Sequence, residues 1–232
     1  MRKFWIGMNV LYERVLLIVL VFVLLIVSWC MYDNYYIYSH TLEADITRYK
    51  PGRTFSLTAE DPQISDEMVA WLTIDGTNID YPIMQGSNNL KYLNTDPFGS
   101  YSLSGSIFLD SRNSPDMTDS YSVVYGHHME HGKMFGALDE FLDSSYLTEH
   151  TGGSLIIGSN ADDIYPLEVF ASMKANANDE NIFDFKCEDI VGYIRNNSQV
   201  FTRADDKPVI ALSTCSSGDM IERTIVFCYI IK

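Results

Sequence analysis

No charged residue occurs between Val15 and Met31, and Val, Leu, Ile and Phe fill most of that stretch. In lipid a chain satisfies its backbone only as a helix or a closed barrel, so this run constrains the fold more than any other feature. Its 17 residues, at about 1.5 Å each, reach roughly 25 Å, near the lower limit for a membrane span. Tyr32 and the residues before Arg14 extend it. Ser28-Trp29-Cys30-Met31 leads straight into tyrosines, with no small-residue cleavage pattern, which points to a retained signal-anchor. Arg2, Lys3 and Arg14 precede the run and only Glu13 offsets them. The positive-inside tendency then leaves the N-terminus in the cytoplasm and everything after Tyr32 outside. The expected division is a cytoplasmic N-terminus at 1–14, a single transmembrane segment at 15–32, a juxtamembrane helix or spacer at 33–64, and one domain over 65–232.

The whole chain carries a net charge of −15. Without its first 14 residues it has 13 basic against 30 acidic residues, a net of −17. Such a surface repels nucleic acid and anionic lipid and keeps an extracellular domain soluble.

Past the span, Tyr35, Tyr36, Tyr38, Leu42 and Ile46 are spaced as on a helix, which Pro51-Gly52 ends. From about Met68 the period changes to that of strands. Val69–Ile74, Ile79–Ile83, Ser104–Leu109, Tyr121–Tyr125, Ser154–Ile157, Ile164–Met173, Pro208–Thr214 and Thr224–Ile231 read as strands, with turn residues such as Asp75-Gly76 between them. About eight short strands favour a barrel or a sandwich. Helical insertions are expected near Met134–Leu142 and Cys187–Asn196, the latter with Ile190, Val191 and Ile194 at helical spacing. The class is mainly β with helical insertions.

Leu212-Ser213-Thr214-Cys215-Ser216 delivers a cysteine to a strand end, and Arg223 opens the following strand eight residues later. Upstream, Val124-Tyr125-Gly126-His127 brings a histidine to another strand end. A thiol, a guanidinium and an imidazole are what acyl transfer from a peptide needs: a nucleophile, an oxyanion partner and a proton carrier. A free thiol titrates near about 8.5, and a neighbouring cation raises its thiolate fraction. An imidazole, titrating near about 6.5, both gives and takes protons around neutral pH. A guanidinium keeps its charge and offers planar donors to an oxygen.

These motifs resemble the sortase family, its class B branch in particular. The resemblance takes in the Leu-Ser-Thr-Cys and Tyr-Gly-His motifs, the segment Trp71 to Gly86, Lys91-Tyr-Leu-Asn, and Gly105-Ser-Ile-Phe-Leu-Asp-Ser-Arg-Asn113, in order over roughly residues 65 to 232. It implies a sortase-type eight-stranded β-barrel and a cysteine transpeptidase with Cys215 as nucleophile, His127 as acid and base, and Arg223 at the oxyanion. It further implies that Asn89, Leu93 and Ser213 contribute to a substrate groove, and that neither cofactor nor metal is needed. The partners implied are secreted proteins with a C-terminal sorting signal and the amine of a peptidoglycan precursor (lipid II) in a Gram-positive cell wall, with no nucleic acid. Two alternatives accompany this reading: a pilin polymerase that uses a pilin lysine as the amine, and a catalytically silent binding domain on the same barrel. The chain has His128 where relatives often carry asparagine, and Leu90 where a polar residue is frequent. Asp219 is left without an assigned role.

Adjacent residues on an extended chain face opposite ways, so His128 is expected to turn from Cys215 and to be exposed. His127-His128-Met129-Glu130-His131 is dense in metal ligands, yet a zinc helix keeps Glu directly after its first His, and here His128 stands there. Asp162-Asp163 and Asp205-Asp206 lack calcium-loop spacing. Along the last strand Arg223, Ile225, Phe227 and Tyr229 share one face and Cys228 the other, which suits Cys228 to a small buried hydrophobe. A Cys187–Cys228 disulfide stays open.

Overall fold

The computed structural model describes residues 2–39, 46–53, 58, 60–158, 161, 163–215 and 221–231. It falls into two compact units, residues 1–42 and 43–232.

The described residues of the first unit form one helix, α1 (Arg2–Ser39). It runs unbroken through both points at which the sequence divides tail, span and spacer, because no proline or terminal cap interrupts Tyr32-Asp33-Asn34-Tyr35. Phe4–Asp33 within it is long and apolar enough to cross a membrane, and its large apolar side chains stand exposed on all sides.

Among the described residues the second unit has nine strands: β1 (Met68–Ile74), β2 (Asp80–Met84), β3 (Ile107–Leu109), β4 (Tyr121–Gly126), β5 (Gly152–Ile157), β6 (Ile164–Asn176), β7 (Val200–Phe201), β8 (Val209–Cys215) and β9 (Glu222–Ile230). They pair in the order β5-β1-β2-β3-β4-β8-β9-β6-β7, and β5 also pairs with β6. Eight strands therefore close into a barrel, and β7 is a two-residue addition on the outside of β6. Closure depends on the length of β6, whose residues 164–168 pair with β5 and whose residues 167–176 pair with β9, with an irregularity between Val169 and Ala171 in the second pairing. A bulge there bends the strand between its two partners. Two pairs are parallel, β2–β3 and β4–β8, and the second brings the Tyr-Gly-His and Leu-Ser-Thr-Cys segments side by side.

Strands β4, β8 and β9 are buried on both faces. Val123, Ala211, Ile225 and Phe227 belong to a core cluster that includes Ile182 of α3 (Glu180–Phe183) and Ile194 of α4 (Ile190–Asn197). Val124, Leu212, Val226 and Cys228, which alternate with them, are equally buried. Double-sided burial is why these strands read as continuous apolar runs. The helical insertion between β6 and β8 is split in two, each piece capped by an aspartate: Asp179 accepts from the Asn181 amide and Asp189 from that of Gly192. On the other side of the barrel a 3-10 helix, Gly136–Leu142, buries Leu138 and Phe141, and the Ser172 hydroxyl donates to the Phe141 carbonyl at 2.7 Å. Its extent falls within the expected Met134–Leu142. A further short helix, α2 (Ser144–Glu149), and β7 carry no strong sequence signal.

Of the expected juxtamembrane segment, Ile46–Tyr49 forms a 3-10 turn with Ile46 buried. Lys50 ties that segment to the barrel, its Nζ donating to Asp80 at 2.8 Å and to Thr73 at 2.6 Å.

Candidate active site

Three strand ends meet at one edge of the barrel. Cys215, the last residue of β8, is the register partner of Arg223, the second residue of β9. Directly opposed residues of an antiparallel pair share a face and stand about 5 Å apart at Cβ. In the parallel pair, Gly126 of β4 is matched with Thr214 of β8, so His127 and Cys215 each follow that pair by one residue. The ladder thus brings together the three residues that the sequence singles out for acyl transfer.

Local packing dictates the residue before the histidine. A Cβ on Gly126 would stand 2.5 Å from Ile107 Cδ1 and 2.7 Å from a ring carbon of Phe135, so only glycine brings β4 this close to its neighbours. The His127 ring is held by its Nε2–H, which donates to the Leu93 carbonyl at 2.7 Å. A carbonyl oxygen only accepts, so Nε2 is the donor nitrogen in this contact. Leu93 ends a 3-10 turn, Lys91–Leu93, packed so tightly on Gly105 that a Cβ there would come within 2.5 Å of the Leu93 carbonyl oxygen.

The Arg223 guanidinium lies 5.9 Å from the centre of the Phe183 ring, which gives it an aromatic floor. Its neighbour Glu222 pairs with Lys174 at 3.1 Å. Asp219 lies outside the described residues.

His127 and Arg223 open onto a cavity of about 320 Å³, with Asn89, Leu90, Leu93, Phe108, Phe183 and Asp184 among its walls. Two of the three predicted groove residues, Asn89 and Leu93, are therefore there, and Leu90 is 74% exposed. Ser213 is not in the wall: it is fully buried on β8, and its hydroxyl has no hydrogen-bond partner among the described residues.

Behind the cavity lies a polar hub that the sequence reading does not single out. Asp110, fully buried, accepts from the Arg112 Nε at 2.9 Å and Nη2 at 2.8 Å, from Asn89 Nδ2 at 2.9 Å and from the Tyr125 hydroxyl at 3.0 Å. Arg112 continues to Asp184 at 3.1 Å. Burial opposes the Asp110 charge, but the Arg112 guanidinium and amide, Tyr125 and Asn89 outweigh it and hold the carboxyl below the usual range. Burial first, then the Asp110 charge, raise the pKa of Tyr125, so the phenol stays a donor. The signal for this hub is Leu109-Asp110-Ser111-Arg112, a charge pair at the end of a strand.

His128 departs from expectation. Its side chain is only 23% exposed, because Nε2–H donates to Asp139 of the 3-10 helix at 3.1 Å. His127 lines the cavity already described, whereas His128 and His131 border a separate cleft. Met129 is extended and His131 has φ +61°, so the pentapeptide is not a zinc-binding helix. Cys187 and Cys228 are both free thiols, and burial pushes the Cys228 thiol up, which leaves it unreactive.

A thiol-bearing residue opposed to a guanidinium, with an imidazole one residue past the neighbouring pair, suits nucleophilic attack on a carbonyl with proton transfer to nitrogen. The sortase domain model matches residues 72–231. Sortase B of Staphylococcus aureus is 31% identical over 181 residues, which cover 73% of this chain and 72% of that protein. A Streptococcus pyogenes class B sortase involved in pilus biogenesis superposes with a TM-score of 0.65 at 36% identity, over 72% of this chain and 94% of that one. The Staphylococcus aureus sortase B–substrate complex gives 0.64 at 28% identity, over 73% and 82%. The matched region contains all of the barrel but the start of β1, including the strand ends that carry His127, Cys215 and Arg223, and the chain belongs to the sortase family of cysteine transpeptidases, in its class B branch.

Proposed function

We propose that this chain is a membrane-anchored transpeptidase that joins secreted proteins to the cell wall, with Cys215, His127 and Arg223 as its catalytic residues. The Cys215 sulfur attacks the carbonyl carbon of the threonine in a C-terminal sorting signal. A C–S bond forms, and Arg223 stabilises the oxyanion. The C–N bond then breaks as His127 gives its proton to the leaving amine. In the second half, an amine of the peptidoglycan precursor attacks the thioester, the C–S bond breaks, and His127 takes the proton from nitrogen. The observation that carries this reading is the register of Cys215 against Arg223, one step beyond the pair that precedes His127. Asn89 and Leu93 hold the peptide along the cavity, and Ser213 supports the strand beneath the nucleophile. Residues 15–32 anchor the chain with 1–14 in the cytoplasm, 33–64 act as spacer, and 65–232 work outside, beside the membrane where both substrates emerge.

A second reading changes only the acceptor, to a lysine of a pilin. Similarity to the Streptococcus pyogenes enzyme involved in pilus biogenesis favours it.

The test uses the full chain in detergent micelles with peptides bearing LPxTG-, NPxTN- and PPxTG-like motifs, read by intact mass spectrometry. An adduct that forms in the wild type but not in Cys215→Ala, and that turns over only with His127 present, bears the reading out. Offering a glycine peptide or a lysine peptide as amine separates the two acceptors. A folded protein with a reactive Cys215 and no adduct from any peptide overturns the reading in favour of a binding role.

A further inference from the structure

We propose that Asp139 is a positioning residue that braces His127 and Arg223 from behind the sheet; the proposal rests on the catalytic roles given above. Each of those residues has a neighbour facing the other way, and both neighbours bind the same carboxylate. His128 donates to Asp139 Oδ2 at 3.1 Å, and the Thr224 hydroxyl donates to Asp139 Oδ1 at 2.5 Å. Thr224 is fully buried and pairs with Thr214 in the ladder, one position from the Cys215–Arg223 pair. One side chain therefore ties the end of β4 to the start of β9, two strands that are not neighbours and are separated in the sheet by β8.

The element that carries Asp139 is itself fixed. The chain from His127 folds back so that the Phe135 amide donates to the His127 carbonyl at 3.1 Å and His128 pairs with Met134. Gly136 then sits so close to Met129 that a Cβ would stand 2.0 Å from its carbonyl oxygen. This reversal leads directly into the Gly136–Leu142 helix, so Asp139 is presented by a helix whose preceding turn is bonded to the backbone of the histidine it braces. A carboxylate accepting two hydrogen bonds across strands restricts how far the two backbones move apart. Displacement by about 1 Å at a reacting group is enough to cost up to a hundredfold in rate.

The test uses the full chain in detergent micelles with the Asp139→Ala, Asp139→Asn, Thr224→Val and Asp139→Ala/Thr224→Val variants. With a peptide that the wild type turns over, Asp139→Ala is expected to lower kcat about tenfold while KM stays within about twofold. Asp139→Asn keeps an acceptor for Thr224 and recovers part of the loss. Thr224→Val keeps the shape without the hydroxyl and loses activity, and the double variant falls no further than Asp139→Ala, as expected for members of one network. A kcat within about twofold of wild type in Asp139→Ala, or losses that multiply in the double variant, overturn the proposal. So does a loss that merely follows the unfolded fraction.

A second readout needs no substrate. The rate of Cys215 alkylation by iodoacetamide, followed on the Cys215 peptide by mass spectrometry, is expected to change about threefold or more in Asp139→Ala, because the groups around the thiol shift. No change in that rate overturns the role of Asp139. Failure of the wild type to turn over any peptide instead overturns the transpeptidase reading, and the alkylation rates still decide the brace.

Discussion

The Tyr125 hydroxyl donates to the buried Asp110 carboxylate at 3.0 Å, and Tyr125 stands two residues before His127. Through this bond the segment that delivers the histidine is attached to the end of β3, and through Arg112 the same carboxylate reaches Asp184 beside α3. Tyr125 also lies near Phe183, with ring centres 6.2 Å apart, and Phe183 lies under Arg223. The walls of the cavity are thus joined by one charged group that water does not reach.

Removing the two ends of that bond has unequal consequences. Tyr125→Phe deletes one donor from an acceptor that retains four others, and is expected to cost about 1 kcal/mol. Asp110→Ala deprives Tyr125 and Asn89 of this acceptor and leaves Arg112 with Asp184 alone as its ion-pair partner among the described residues, and is expected to cost about 2–3 kcal/mol. Urea unfolding of the two variants in micelles gives both values; equal losses contradict the hub.

The pH dependence follows from the direction of the Asp110 shift. Its carboxyl is held below the usual range in the folded protein, so folding favours the charged form. That contribution is complete above the unfolded carboxylate value of about 3.9 and is lost as the pH falls through the lower folded value. The stability gap between wild type and Asp110→Asn is therefore expected to be constant from about pH 7 to 5 and to shrink below about pH 4. Unfolding midpoints measured across that range check it.

Gly126→Ala places a methyl group where Ile107 and Phe135 already stand. Overpacking of this kind costs about 1–3 kcal/mol, and relief requires β4 to move at the residue before His127. A fall in turnover larger than the fall in thermal stability accounts for, from calorimetry and kinetics on one sample, is the expected result.

Much of this was legible in the sequence because β8 and β9 are buried on both faces and sit one hairpin apart. Their apolar runs are continuous, and Cys215 and Arg223 mark where each begins or ends. The pairing of β4 with β8 was not legible, since nothing local in Tyr121–Gly126 says which distant strand lies beside it; only the motifs hinted at it. Asp110 is not legible as a hub because an aspartate at a strand end reads as a turn, and its burial is justified only by Arg112, Asn89 and Tyr125 arriving from three segments. His128 misled for a related reason. Alternation correctly turns it from His127, but the acceptor that holds it half-buried, Asp139, lies on an element whose packing no pattern specifies.

Arg223→Lys separates charge from shape at the cavity wall. Lysine keeps the cation above Phe183 but loses the planar fork that meets a carbonyl oxygen along two directions. If the guanidinium stabilises the oxyanion, kcat is expected to fall about 10²- to 10³-fold, as on removal of an oxyanion donor. The side chain lines the cavity, and the loss is read on the folded fraction of the variant. Single-turnover kinetics locate the loss: slower adduct formation with Cys215 assigns Arg223 to the attack step. Adduct formation at the wild-type rate with weaker peptide binding would instead make it a binding group, and a variant within about tenfold of wild type in both would leave the oxyanion without a partner in this chain.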